Sequence, residues 1–319
     1  MARTRIALVA ATSLVASLLN PVNAHSAEMV SPTCTQPGFV VSKGTLKWGI
    51  KQTWRSYIQG PAQGRWSLEG AVGDNAARRT SSEYQFFFDV DPATTRLVGT
   101  LDENGSLKIS EAVVGTKKSQ INFTAHEGKL ATTLRSPYIK VEGGQAAAGS
   151  SYISYYVPGK EMMEYEKSDL TSSNRQVGTQ EFGAGAASTW VMEENNTVTM
   201  KVTGMHYRPQ PGTMAGMVSG IDTAFLGQYD ELAPLDDATL ELKVQPQCLD
   251  TVSTASLGYE DNLPAAPGDK LDANPSDPST PESSLSVGAI VGIVIAAIVG
   301  VVGLLAAALQ ALAPGLIRS

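Results

Sequence analysis

The residues best placed to do chemistry are a phenol and three imidazoles. Tyr57 lies in residues 46–60, LKWGIKQTWRSYIQG, which reads as a short helix with its residue types sorted by face. Ile50, Trp54 and Ile58 recur four apart and form a core-facing stripe. Thr53 and Tyr57 are also four apart, so a hydroxyl and a phenol stand one above the other on a neighbouring face, and Gly60-Pro61 stops the helix. A phenol on the last turn of a well-anchored helix can reach a ligand; the same spacing also suits an amphipathic residue at a core edge. Of the histidines, His25 falls near the N-terminus, and His126 falls where a strand hands over to a Glu127-Gly128 turn. His206 precedes Tyr207 in a loop rich in Pro and Gly. A histidine at such a turn serves equally as a solvated surface group or as a partner at a rim.

The elements that must carry these residues are mostly strands. Glu83–Val90 is a candidate buried strand. Arg96–Leu101 and Leu107–Ile109 flank Asn104-Gly105, and Thr189–Met192 and Thr197–Val202 flank Asn195-Asn196, both hairpin signals. Gln120–Ala125, Lys129–Leu134, Tyr138–Val141, Tyr152–Val157 and Thr239–Val244 complete the set, and only Ser219–Gln228 adds a second brief helix. The pattern predicts a mainly β chain: one sandwich- or barrel-like domain with one or two short helices.

Three segments carry a resemblance. Trp48-Gly49-Ile50-Lys51 with Trp54-Arg55-Ser56-Tyr57-Ile58 resembles the W-G-V-K-x-S-F-R-x-Y opening of the HtaA-type haem-binding domain of actinobacterial surface haem-uptake proteins. Residues 121–130, INFTAHEGKL, followed by Ser136-Pro137, are similar to that family's F-x-G-H-x-G-x-L strand and turn and its later N-P-x-I/V stretch. Ala224-Phe225-Leu226-Gly227-Gln228-Tyr229 and then Leu235-Asp236 are similar to its A-F-x-x-F-Y…L-D-P ending. The resemblance spans about residues 42–245. It implies Tyr57 as the axial ligand of haem iron, His126 as the hydrogen-bonding partner of that phenol, and Tyr229 as a third pocket residue. Thr53, where the family usually has Ser, would face a propionate. Gln228 stands at a usually aromatic position and Ala125 replaces the Gly before the histidine, which puts stacking at the first and the turn at the second in question.

Tyrosine is one of the side chains that hold haem iron. Its ordinary pKa near 10 makes ionisation cost about 4 kcal/mol at neutral pH, and ferric iron, a hard cation, offsets that cost. An imidazole N–H directed at the phenolate orients it and tunes its basicity. The expected ligand is therefore ferric haem (haem b), in a site suited to capture and hand-over rather than oxygen chemistry or electron transfer. The sources and recipients implied are host haemoglobin or other haemoproteins, other haem-uptake surface proteins, and a haem ABC transporter.

Both ends of the sequence point to the cell surface. Arg3 and Arg5 precede an apolar run from Ile6 to Leu19, and Val22-Asn23-Ala24 offers small residues for cleavage, which reads as a signal peptide over residues 1–24. Residues 287–313 contain no charge and are long enough to cross a bilayer of about 30 Å. Residues 314–319 would form a short cytosolic tail. Between them, residues 251–286 are dominated by Pro, Asp, Ser and Ala and read as a disordered stalk. The expected organisation is a folded domain over residues 25–250 on a single-pass cell-membrane anchor, with that domain outside. Cys34 and Cys248 bracket it, and an even pair in an oxidising location predicts a disulfide.

Other functions have less support. There is no G-x-S-x-G elbow and no H-E-x-x-H, so the chain reads as a non-enzyme. A net charge of −7 without a basic patch disfavours nucleic acid. The rival is a membrane-anchored adhesion or protein-binding β domain with no cofactor, which suits the stalk and anchor equally well.

Overall fold

The computed structural model describes residues 34–103, 106–209, 219–258 and 263–270, all within the first of two units, Met1–Ala273. The segments read as signal peptide, transmembrane span and cytosolic tail lie outside the described residues, as does the Asn104-Gly105 turn. No helix among the described residues is long and apolar enough to cross a membrane.

The chain runs through β1 (Pro37–Trp48), α1 (Gln52–Gln59), β2 (Arg65–Gly70), β3 (Val72–Asp74), β4 (Phe86–Asp89), β5 (Arg96–Leu101) and β6 (Leu107–Gly115). It continues through β7 (Ser119–Ala125), β8 (Leu130–Glu142), β9 (Gln145–Tyr155), β10 (Arg175–Ala187), β11 (Val191–Glu193), β12 (Thr197–Tyr207) and β13 (Ala238–Cys248). The protein is mainly β, with one α-helix and several 3₁₀ turns among the described residues. β1 pairs with β13 along one edge and with β5 and then β4 along the other. The pairing continues from β13 to β12, β10, β9, β8, β6 and β5, so antiparallel hydrogen bonding closes a ring of eight strands. Closure of this kind leaves the ring itself without a free edge. β2 and β7 branch from β8, and β3 and β4 branch from β1.

Several expectations change in detail. Leu46–Trp48 end a strand rather than open a helix, and Ile50 turns the chain with a left-handed φ of 67° before α1 begins at Gln52. Ile50, Trp54 and Ile58 are nonetheless all buried. The two strands expected at 129–134 and 138–141 are one strand, β8, bent by a bulge at Ser136, where φ is +40°. Its first half pairs with β7 and its second with β6. The brief helix expected at Ser219–Gln228 is a 3₁₀ turn, Gly220–Phe225, because left-handed Leu226 and Gly227 end it. Residues 251–258 and 263–270, read from composition as stalk, lie on the domain: Ala255 N–H donates to Ala93 (2.8 Å) and Gly268 N–H to Leu170 (3.0 Å).

One apolar core runs through the domain, with Trp48, Trp54, Phe123, Phe182 and Phe225 at its centre; Val157, Tyr165 and Leu170 form a small satellite. The Cys34–Cys248 disulfide is present and closes a sequence separation of 214. It sits where β1 and β13 pair at Pro37 and Cys248. Beside it the Asp250 carboxylate accepts from the backbone N–H of Thr35 and Gln36.

Candidate functional site

A helix of eight residues does not hold itself together in water, so the position of Tyr57 depends on what grips α1. Trp54 is fully buried and meets Phe123 and Phe225 edge to face, with centroids 5.9 and 5.6 Å away. Lys51 at the N-cap position supplies no side-chain cap. The missing acceptor comes from far along the chain: Asp236 Oδ1 accepts from Gln52 N–H at 2.9 Å, and a carboxylate at a helix start is favoured by the peptide dipoles. The other Asp236 oxygen meets the buried Arg55 guanidinium. Arg55 also donates to the carbonyls of Gly49, Arg79 (3.0 Å) and Ser81 (2.8 Å). A buried guanidinium needs this degree of satisfaction. Gly49 is required here, since a Cβ would lie 2.2 Å from Asp236 Oδ2.

His126 comes from the turn after β7. His126, Glu127 and Gly128 have successive φ values of 50°, 57° and 92°, a left-handed run that costs a non-glycine residue about 1–2 kcal/mol. The run is tied down at its start, because His126 N–H donates to Ala62 C=O at 2.9 Å. Ala62 N–H in turn donates to Tyr57 C=O at 3.0 Å. The two side chains therefore meet from different elements with Tyr57 Oη 2.7 Å from His126 Nε2.

The 3₁₀ turn Gly220–Phe225 supplies the third wall. Tyr207 donates to Asp222 within the core, and Gln180 Oε1 accepts from Ile221 N–H at 2.7 Å. The residues after this turn then reach α1. The Gln228 side chain lies beside the Tyr57 phenol and Thr53 beside Tyr229, each near enough to draw its neighbour's pKa down. The Tyr229 ring rests on Phe225 (6.1 Å) and lies 4.1 Å from Nζ of the buried Lys51. All four residues expected at the site, Thr53, Tyr57, His126 and Tyr229, are thus brought together. His206 is not: its ring bonds its own strand at Gly204 C=O.

Burial raises the Tyr57 phenol above its ordinary pKa, and the Gln228 contact opposes that shift. Burial lowers the His126 imidazole, helped by the Lys129 charge. Burial pushes Tyr229 up to about 12, against the Thr53 contact and with the adjacent Tyr57. In the free protein at neutral pH the pair is therefore a neutral phenol beside a neutral imidazole, joined by a hydrogen bond.

These residues fall inside a region with known relatives. The HtaA family model (Htaa) matches residues 43–241. The chain belongs to the HtaA family. Similar solved structures are the C-terminal and N-terminal domains of HtaA from Corynebacterium glutamicum. They are 20% and 19% identical, cover 66% and 65% of this chain and 99% of their own, and have TM-scores of 0.43. A third is the heme binding protein HtaB from the same organism, at 16% identity, 66% and 97% coverage and a TM-score of 0.43. No curated protein matches the chain.

Against the HtaA pattern, both departures have a local explanation. Gln228, where an aromatic residue is usual, places an amide beside the Tyr57 oxygen. Ala125 has an extended backbone (φ −152°) that needs no glycine. Its methyl group has room because Gly64 opposes it, where a Cβ would lie 2.5 Å away. Lys51 and Asp236 were not expected among the site's supporting residues, and Gln228, expected only as a doubtful stacking position, lies beside the Tyr57 oxygen. Asp236 sits within the Leu235-Asp236 ending, and an acidic residue there was the available signal.

Proposed function

We propose that the protein captures ferric haem outside the cell through the Tyr57 oxygen and passes it on for iron uptake. The observation that carries this reading is the Tyr57–His126 contact of 2.7 Å, set among Gln228, Tyr229 and Thr53 in a chain of the HtaA family. The related HtaB is a heme binding protein, and we assign the same class of ligand here on the chemistry of the donor set.

The chain's own residues account for each step. Tyr57 must shed a proton before its oxygen meets the iron, and burial makes that harder than the ordinary phenol value implies. That proton would leave to solvent; His126 Nε2 is the hydrogen-bonding group within reach, and burial keeps its ring neutral. In the tautomer that carries its proton on Nε2, the neutral ring would donate to the phenolate in a charge-assisted hydrogen bond. Gln228, which draws the Tyr57 pKa down, would favour the same anion. Tyr229, backed by Phe225 and Lys51, would contact the porphyrin, and the exposed Thr53 hydroxyl would be free to meet a propionate.

The setting we propose is a secreted domain tethered to the cell membrane by residues 287–313 after a signal peptide over 1–24. Host haemoproteins would be its sources, and other surface uptake proteins or an ABC transporter its recipients. The chain is read as a carrier, not an enzyme. Titration of the purified protein with ferric haem tests the proposal. A saturable, one-to-one Soret band with a tyrosinate-type visible spectrum is expected. A protein that stays colourless overturns the reading and favours the adhesion module.

A further inference from the structure

Residues 263–270 lie beyond the segment matched to the family, yet they are seated on the domain. Ala266 is 0% exposed. Gly268 N–H donates to Leu170 C=O at 3.0 Å, and no side chain fits at 268, where a Cβ would lie 2.6 Å from Ser168 O. The Asp269 carboxylate accepts from Ser172 N–H (3.1 Å) and Ser172 Oγ (2.5 Å), and Arg175 donates to Pro264 C=O (2.6 Å). Every one of these contacts falls on the connection between β9 and β10, residues 156–174, or on the first residue of β10.

That connection also borders the site. Its Glu166 pairs with Lys129 at 3.1 Å, three residues after His126. The stem of its Lys167 lies over Gly128, 3.5 Å from the position of a Cβ there. Tyr155, beside Arg175, and Tyr165 line a cleft of about 320 Å³ together with Thr223 and Leu226 of the turn that leads to Gln228 and Tyr229. Within itself the connection is held by two capped 3₁₀ turns, a Lys160–Asp169 ion pair at its surface and a satellite core of only three buried apolar residues. Segments with so few buried contacts open locally at low cost.

We propose that residues 263–270 are a strap that holds the β9–β10 connection against the Tyr57–His126 site. Release of the strap loosens that wall and speeds the loss of bound haem. The haem half of this inference rests on the function proposed above; the strap itself does not.

The test uses the full chain with Asp269→Ala, Asp269→Asn and Ala266→Asp. Hydrogen exchange is followed in the haem-free protein, and haem loss to excess apomyoglobin in the loaded one. We expect exchange across 156–174 to rise about tenfold in Asp269→Ala and Ala266→Asp while β1 and β13 stay protected. Haem loss should accelerate by a similar factor, and Asp269→Asn, which keeps one acceptor for Ser172, should fall between. Unchanged exchange across 156–174 overturns the strap, and faster exchange with unchanged haem loss overturns its coupling to the site. A wild-type protein that binds no haem sinks the functional reading and the coupling together, while the exchange result still decides the strap.

Discussion

The backbones of Tyr57 and His126 are joined through a single residue: Ala62 donates its N–H to Tyr57 C=O at 3.0 Å and accepts from His126 N–H at 2.9 Å. The side-chain contact of 2.7 Å is thus built on a short backbone relay. The geometry of the pair is set before any ligand arrives, as a preorganised site requires. Removing the phenol oxygen should therefore cost binding without costing the fold. In Tyr57→Phe the ring keeps its packing on Trp54, at 5.7 Å. Haem affinity should fall by about 100-fold or more, some 3 kcal/mol, with an unchanged circular dichroism spectrum; Tyr57→Ala should lose at least as much. A Tyr57→Phe protein with the wild-type visible spectrum would remove Tyr57 as the axial ligand.

His126 acts through Tyr57, so its loss should be milder. His126→Ala should weaken haem binding by about 10–100-fold, the usual range for a partner of a metal ligand. It should also shift the charge-transfer bands, because the phenolate becomes a stronger donor when its hydrogen bond is lost. Unchanged affinity and spectrum would place His126 outside the site. His206→Ala should do nothing, since that ring bonds only its own strand.

Much of this site was legible in the residues because its parts are local: a phenol on a helix and an imidazole at a Gly turn are visible in a few positions each. What the sequence concealed is non-local. Asp236 caps a helix 184 positions away, and no periodicity announces such a partner. β10 (RQVGTQEFGAGAA) escaped notice because Val177, Thr179 and Phe182 are its only branched or aromatic residues, and its second half is mostly Gly and Ala. Its small residues are needed for close packing: a Cβ on Gly183 would lie 2.9 Å from Leu235. Composition misled at the stalk as well. Residues 263–270 look disordered by their Pro, Ala and Asp, yet Ala266 and Asp269 find partners on the domain.

The buried phenols predict an alkaline limit to stability. Burial pushes Tyr84 and Tyr229 up to about 12 and raises Tyr57, Tyr138, Tyr152, Tyr155, Tyr165 and Tyr207 as well. A group whose pKa is higher folded than unfolded contributes stability that is complete below its unfolded value, here 10.0. That contribution is lost as pH rises through the folded value. The protein should hold its fold to about pH 10 and lose it steeply toward pH 12. Tyrosinate absorbance should rise in the same transition as the loss of circular dichroism. Phenols that ionise near 10 with the fold intact would contradict their burial.

Reducing the disulfide should loosen the frame and spare the site. The bond closes a separation of 214 residues, for which the chain-entropy estimate is about 5 kcal/mol. A domain of this size should then melt roughly 10–15 °C lower under reductant. The Soret spectrum at room temperature should not change, because Tyr57 and His126 are held by Asp236, Ala62 and the core rather than by Cys34 and Cys248. A melting point indifferent to reductant would show that the β1–β13 pairing needs no clamp.

Asp236 offers the sharpest separation of frame from chemistry. Its two oxygens cap α1 at Gln52 and neutralise the fully buried Arg55. Asp236→Ala therefore leaves a helix N-terminus unsatisfied and a guanidinium unpaired in the core. Breaking such a pair by removing one partner costs about 3–5 kcal/mol, so thermal unfolding should register a large loss. Asp236→Asn keeps the acceptor for Gln52 N–H and gives up only the charge, and should recover part of it. Neither change touches the Tyr57 oxygen, so where the domain is still folded the haem spectrum should retain its tyrosinate character even as affinity declines. Haem affinity that falls with stability untouched would mean that Asp236 contacts the ligand itself, and the cap would then be incidental.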